Sequence, residues 1–463
     1  MPQSNTDNQV DHLFLLVGTN PLPNWVVAKL LAARQGIVYL IATKDVRATR
    51  LRLETLLRND TALSLTVKWI ETAEADEATI RRDVKSLLVE AQKTRPGKYG
   101  LNYTGGTKMM AVHAYRTFKE FFGDDEPQPL MSYLDARRLE LKFDQPAPVA
   151  KLELAKVAQY PQVQISVETL LRLHDEYDQN RSLSYQQQAV AIPAAQELVA
   201  VHSHLAGQQL WRGWCDTLKA TFGYNNNQTK KVGEINLKKL NTRDRQQIVA
   251  QLDRIVLKPV SDWETAIRNH WAIKKLVQAQ QAVTANKLVD GYRQLLACLK
   301  TADGDSLKEA TCKSGEFTDS LNLAKWLDGL WLEHYTFAQL KTCQDAGEIN
   351  TDGLALNVEP VNAEKREFEA DVIALRGYQL FYCSCYTGGE PARSKGKLFE
   401  AVIRAAQLGG DEARIALVCC SDEPGKIQQE AKSDLQGKGQ IRVFGREQLP
   451  VLAAKMTEWL NGQ

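Results

Sequence analysis

Across its first 150 residues the chain alternates short apolar runs with segments of helical periodicity, and this alternation limits the fold more than any other feature of the sequence. "HLFLLVG" (12 to 18) reads as a buried strand, and "PLPNWVVAKLLAARQG" as a helix with Pro23 near its first turn and Gly36 just past its end. Strand "IVYLIA" precedes a helix over 46 to 58, "LSLTVKWI" one over 76 to 93, and "YGLNY" one over 107 to 122; "PLMSYL" and "LELKF" read as closing strands. Strands separated by helices predict a parallel, doubly wound sheet whose ligands sit beyond the carboxyl ends of the strands. Three loops fall there: Gly18-Thr19-Asn20, Thr43-Lys44-Asp45, and Thr104 to Lys108.

The third loop lies in "LNYTGGTKMM" (101 to 110). A Walker A loop requires G-x-x-x-x-G-K-[ST], which is absent, as is the dinucleotide pattern G-x-G-x-x-G. What remains is a glycine turn entering a helix, where backbone N–H groups and the helix dipole favour an anion. Lys108 adds charge there, and Thr104 and Thr107 add hydroxyls. A tight turn without ligand is the competing reading.

A chain of 463 residues, 44% apolar, predicts two or three domains with sizeable cores. Its net charge of +2 excludes a grossly basic nucleic-acid coat, so a polyanion must be met by a local patch. Eight cysteines form no C-x-x-C pair and the seven histidines no zinc spacing; His202-Ser203-His204 reads as a solvated helix face. The N-terminus lacks a basic region followed by a long apolar stretch, and no later run approaches ~18 apolar residues. The expectation is a soluble cytoplasmic protein with reduced thiols and no membrane partner.

Residues 160 to 310 are rich in Gln, Lys and Leu and read as mostly helical, with "FGYNNNQTKKVGE" as a loop. Between Lys230 and Lys258 eight Lys/Arg stand against three Asp/Glu, either a phosphate-facing patch or a solvated helical face. From about 318 the pattern changes again. A long amphipathic helix over 319 to 342 leads to strand "LALNVEP", then to "EFEADVIAL" and "YQLFYCSCY" at hairpin spacing across Arg376-Gly377. A helix ending at Gly409-Gly410, strand "ARIALVCC", a helix near 425 to 436, strand "QIRVF" and a final helix follow. Helix, three strands, helix, strand is the order of the restriction-endonuclease-like core.

"NYTGGTKMM" with "VGTNPLPNWVVAKLL" resembles the CARF domain of CRISPR-associated ancillary nucleases. "GLWLEHYTF", "FEADVIAL" and "GKLFEAVIRAAQLGGDEARIALV" resemble the PD-(D/E)xK nuclease domain fused to it in that family. The resemblance covers roughly 10 to 145 and 320 to 445. It implies an α/β chain with a Rossmann-like CARF ligand-sensing domain over 1–150, a helical segment over 151–310, and a restriction-endonuclease-like domain over 311–463. It further implies a homodimer holding a cyclic oligoadenylate, with the tetra-adenylate favoured, against Thr19, Asn20, Thr43, Lys44, Thr104, Gly105, Gly106, Thr107 and Lys108. A ring of phosphates needs N–H donors, hydroxyls and isolated cations, and a two-fold site doubles each.

In the nuclease half the resemblance implies Glu333 and Asp371 as ligands of Mn2+ or Mg2+. Glu369 and Asp371 are spaced to share one face of a strand. A surface helix charge is the competing reading for Glu333. The next strand departs from the family pattern: where E-x-K is expected, Ser384 replaces the glutamate and Tyr386 the lysine. A neutral hydroxyl binds a hard cation weakly, and a tyrosine with an ordinary pKa of ~10 carries no positive charge. Lys395 and Lys397, at the start of the following helix, are candidates for the displaced lysine, and Glu400 for the carboxylate. The expected activity is cyclic-oligoadenylate-activated hydrolysis of DNA or RNA in antiviral defence. Two alternatives stand: a catalytically inactive, ligand-controlled binding protein, and a transcription factor reading DNA with its middle segment, for which no helix-turn-helix is visible.

Overall fold

The computed structural model describes residues 8–123, 127–144, 147–174, 184–221, 241–359, 369–435 and 440–462. The loop expected at 222 to 234, and the part of the basic run before residue 241, lie outside them.

The chain is a mixed α/β protein with two sheets. The first has strand order β3 (Thr66–Glu71), β2 (Ala32–Ala42), β1 (Val10–Leu16), β4 (Tyr99–Asn102), β5 (Leu130–Asp135), β6 (Glu140–Phe143), β7 (Lys151–Glu153). Strands β3 to β5 in that order run parallel, and β6 and β7 close the edge antiparallel. Alternation along β1 divides its apolar side chains between two layers. Leu13 and Leu15 join Val26 and Leu30 of helix Leu22–Leu31, while Phe14 and Leu16 join Val84 and Met110 on the opposite face. Helix Leu22–Leu31 ends earlier than its periodicity suggested. Ala32 is already extended and pairs with Val10, so Gly36 lies inside β2 rather than at a helix end. Pairing with β1 outweighs the helical preference of "LLAAR", a tertiary effect on weak local propensity.

The second sheet has the order β13 (Gln440–Phe444), β12 (Arg414–Cys419), β11 (Gln379–Tyr386), β10 (Ala370–Arg376), β9 (Leu354–Glu359), β8 (Ser184–Gln186). Strands β11 to β13 are parallel, and β8 to β10 antiparallel. Gly377 turns the β10–β11 hairpin with φ +59, a left-handed conformation that suits glycine. One face carries Val372, Ala374, Phe381 and Cys383 against Trp331, Leu332 and Tyr335 of helix Trp331–Asp345; the other carries Ile373, Tyr382 and Leu417 against Leu398 and Ala405 of helix Pro391–Gly409.

The middle segment packs into this second lobe. Trp211 Nε1 donates to Leu327 O at 3.1 Å, and Gln208 Nε2 to Thr387 O at 3.2 Å and Cys420 O at 3.3 Å. His202 corrects the expectation of a solvated face. It is fully buried, its Nδ1 lies 2.8 Å from Leu198 O, and its ring is 4.7 Å from that of Trp331. Burial lowers its pKa to about 4, so the ring is a neutral core group at physiological pH.

Candidate functional site

The three loops expected at strand ends converge, because β2, β1 and β4 are neighbours in the first sheet. The turn after β4 lies directly on the end of β1. A β-carbon at Gly18 would stand 3.3 Å from Gly106 N, one at Gly105 would overlap Leu16 O, and Gly106 has φ +73. Glycines are thus required at 105 and 106 by close approach and by backbone conformation respectively. Asn102, which the sequence reading passed over, braces the turn: Oδ1 accepts from Thr104 N at 3.2 Å and Nδ2 donates to Ser132 O at 3.1 Å.

Both threonine hydroxyls are committed to the scaffold. Thr104 Oγ1 accepts from Leu134 N at 2.7 Å. Thr107 caps helix Lys108–Phe122, accepting from Met110 N at 3.1 Å and donating to Glu74 O at 2.8 Å. The anion-facing resources of this loop are therefore its backbone N–H groups and the exposed Lys108 ammonium. Thr43 is buried at the start of the turn Lys44–Val46, leaving Lys44 exposed. Thr19 is exposed. Asn20 Oδ1 accepts from Leu22 N at 2.9 Å, and its amide lies against Gly410 of the second lobe.

A second cluster forms where helix Trp331–Asp345 crosses the β10–β11 hairpin. This helix continues from helix Ser320–Lys325 through a π turn, Trp326–Leu330, a form that recurs at functional sites. Glu333 is half-buried, and its Oε2 is shut off from solvent without a hydrogen-bond partner among the described residues. Burial, then the Asp371 and Glu369 charges, raise its carboxyl well above the ordinary range, against opposing pulls from Lys397 and Lys325. Asp371 Oδ2 accepts from Ser384 Oγ at 3.1 Å and Cys385 N at 2.6 Å. Burial raises Asp371 to about 6; Lys397, the Cys385 N–H and the Ser384 hydroxyl oppose the rise, and Glu369 adds to it.

The expected residues thus divide. Glu333, Glu369, Asp371 and Ser384 come together, and the Lys397 charge reaches both Glu333 and Asp371. Lys395 turns away to Asp434 at 2.8 Å and Glu430 at 3.4 Å, and Glu400 is exposed. Tyr386 OH donates to Glu390 Oε2 at 2.6 Å, and Arg212 from the middle segment meets Glu390 Oε1 at 2.6 Å. Lys325 was missed: its charge acts on Glu333, and Glu369 and Glu333 act on it.

The donor set fits a hard divalent cation. The Asp371 charge helps Glu333 keep its proton, the Glu369 charge does the same for both Glu333 and Asp371, and Glu333 Oε2 is buried and unpartnered among the described residues. Among the described residues no three His, Cys, Asp or Glu side chains converge into a metal-holding group. A cation would therefore take Glu333 and Asp371 and fill its remaining positions with water or substrate oxygens, as Mg2+ commonly does.

No protein-family profile matches the chain, and no curated protein sequence does. Solved structures do. Protein VC1899 from Vibrio cholerae superposes with a TM-score of 0.58 at 16% identity, covering 97% of this chain and 97% of that one. Can2 from Sulfobacillus thermosulfidooxidans, solved in complex with cyclic tetra-adenylate, superposes with a TM-score of 0.57 at 15% identity, covering 99% of each chain. The likeness runs through both lobes and the middle segment, so the whole chain shares this fold.

Proposed function

We propose that a chain built on the fold it shares with VC1899 and Can2 is a cyclic-oligoadenylate-activated, metal-dependent nuclease of type III CRISPR antiviral defence, acting as a homodimer in the cytoplasm. The observation that carries this reading is the pairing of Glu333, with its unpartnered buried oxygen, and Asp371 at one end of the second sheet. Support for the activator comes from Can2, solved with cyclic tetra-adenylate on the same end-to-end fold. The loops at the ends of β1, β2 and β4 offer that ring backbone N–H groups, Lys44 and Lys108, repeated by a second copy across a two-fold axis.

In this reading residues 1–150 sense the ligand, 151–310 form a helical wall, and 311–463 cut. Glu333 and Asp371 would hold a Mn2+ or Mg2+ ion, which would supply Lewis-acid chemistry at the phosphate. Asp371 is held in place by Cys385 N and Ser384 Oγ, so the serine that replaces the motif glutamate orients the aspartate. Lys397 lends positive charge to both carboxylates.

A second reading has its own support. Tyr386 is fastened to Glu390 and carries no charge, which favours a ligand-controlled binding protein that does not cut. Cleavage of supercoiled plasmid and of single-stranded RNA, with Mn2+ or Mg2+ and with or without cyclic tetra-adenylate, separates the two. Cutting that requires ligand and disappears in Asp371→Ala supports the nuclease; ligand binding without cutting of either substrate supports the binding protein.

A further inference from the structure

Glu412 lies just past the end of helix Pro391–Gly409, at the junction of the two lobes. It is buried, and its Oε1 has no hydrogen-bond partner among the described residues. An acid left in the interior without a full set of partners is costly, so its presence there calls for a role. Across the junction, Asn20 spends its Oδ1 on Leu22 N at 2.9 Å, and its amide N–H groups make no hydrogen bond among the described residues. Asn20 Nδ2 and Glu412 Oε2 both lie within 2.8 Å of the point where a β-carbon at residue 410 would stand. Glycine at 410 leaves that gap empty. A donor and an acceptor therefore face one small gap without meeting, and a slight approach of the lobes would join them. Carboxylate charge is shared by both oxygens, so a bond to either lowers the cost of burying the group.

Glu412 is also tied to the carboxylate cluster through one strand. Its carbonyl accepts from Gln379 Nε2 at 2.7 Å, and Gln379 is the first residue of β11. Gly409 seats on the same strand end, where a β-carbon would come within 2.6 Å of Leu380 Cβ. At its other end β11 presents Ser384 Oγ and Cys385 N to Asp371 Oδ2 at 3.1 and 2.6 Å. This strand is buried along nearly its whole length and paired on both sides, so it moves as one body.

We propose that Asn20 and Glu412 are the two halves of an interlobe catch: occupation of the loops after β1, β2 and β4 by a cyclic oligoadenylate closes an Asn20–Glu412 hydrogen bond, and the shift passes through Gln379 and β11 to the hydrogen bonds that hold Asp371. The proposal rests on the ligand-activated reading above and names the contact that carries its regulation. The catch has two states, made and unmade, and the ligand and the cluster each bias it from one side.

The test compares wild type with Glu412→Met, Glu412→Gln, Asn20→Ser and the Asn20→Ser/Glu412→Met pair, using cyclic tetra-adenylate as the probe. Ligand affinity is read by calorimetry, amide hydrogen exchange over 409 to 413 without metal, and cleavage of plasmid and single-stranded RNA at saturating ligand with Mn2+. In wild type the ligand should slow exchange over 409 to 413. Glu412→Met should still bind ligand, lose that added protection and cut at least about tenfold more slowly, whereas Glu412→Gln keeps an acceptor and should recover most of both. Asn20→Ser keeps an oxygen for Leu22 N but removes the amide, and the double variant should lose no more than the worse single one. Wild-type protection in Glu412→Met, or losses that multiply in the double variant, overturns the catch. A protection change that is present in wild type and lost in Glu412→Met, with neither substrate cut, sustains the catch while the nuclease reading fails. A wild type that binds no cyclic tetra-adenylate overturns both.

Discussion

Asn20, on the loop after β1, lies against Gly410, the residue that ends helix Pro391–Gly409 in the second lobe; a β-carbon at 410 would overlap the Asn20 amide and come within 2.8 Å of Glu412 Oε2. The first turns of that same helix carry Lys397, whose charge reaches Glu333 and Asp371. One rigid element therefore touches the proposed sensing loop at its end and the proposed cutting site at its start. Gly410 has φ +71 and ψ −158, a region open essentially to glycine. Gly410→Ala should lower stability by about 1–3 kcal/mol through backbone strain alone, read as a reduced urea midpoint. Because the overlap also displaces Asn20, it should weaken cyclic tetra-adenylate binding; an unchanged dissociation constant would remove Asn20 from the ligand site.

Glu412 gives a pH signature to this junction. It is buried, its Oε1 has no hydrogen-bond partner among the described residues, and burial raises its carboxyl to about 7. A carboxyl whose folded pKa lies above its unfolded value binds its proton more tightly when folded. It costs stability as pH rises from the unfolded value of 4.5 toward 7. Glu412→Gln does not titrate, so its melting temperature should gain on wild type between pH 5 and about 7.5. A constant difference across that range would show that Glu412 keeps an ordinary pKa.

The same sign applies at Asp371, which is raised to about 6. Asp371→Asn should abolish cleavage while increasing the stability of the metal-free protein at pH 7, because a buried charge, and its repulsion by Glu369, is removed. Differential scanning fluorimetry at pH 5 and pH 8 checks this, since the gain should shrink at the lower pH. Equal gains at both would place the aspartate outside the carboxylate pair.

In the loop after β4 the proposed anion contact and the scaffold role fall to different side chains. Lys108→Ala should weaken cyclic tetra-adenylate at least tenfold and leave the melting temperature within about a degree, because the side chain is exposed. Thr104→Val leaves Leu134 N without its acceptor and should cost about 1–3 kcal/mol of stability. A Thr104→Val protein of wild-type stability would contradict the scaffold role of that hydroxyl.

Much of the fold is legible in the sequence, because strand and helix periodicity are local and the apolar runs here are long enough to carry them. The strands read at 129 to 134 and 440 to 444, the Arg376-Gly377 hairpin and the helix ending at Gly409 stand within a residue of where patterning puts them. Residue chemistry pointed to the glycine turn at 105 and 106, and the family resemblance, not spacing or composition, pointed to Glu333 and Asp371. Tertiary structure decided the rest. Pairing with Val10 drew Ala32 out of a helix its own neighbours favour, and packing against Trp331 turned His202 from a surface group into a core one. Lys395 and Lys397 are indistinguishable in sequence, yet the acids of the neighbouring helix claim the first.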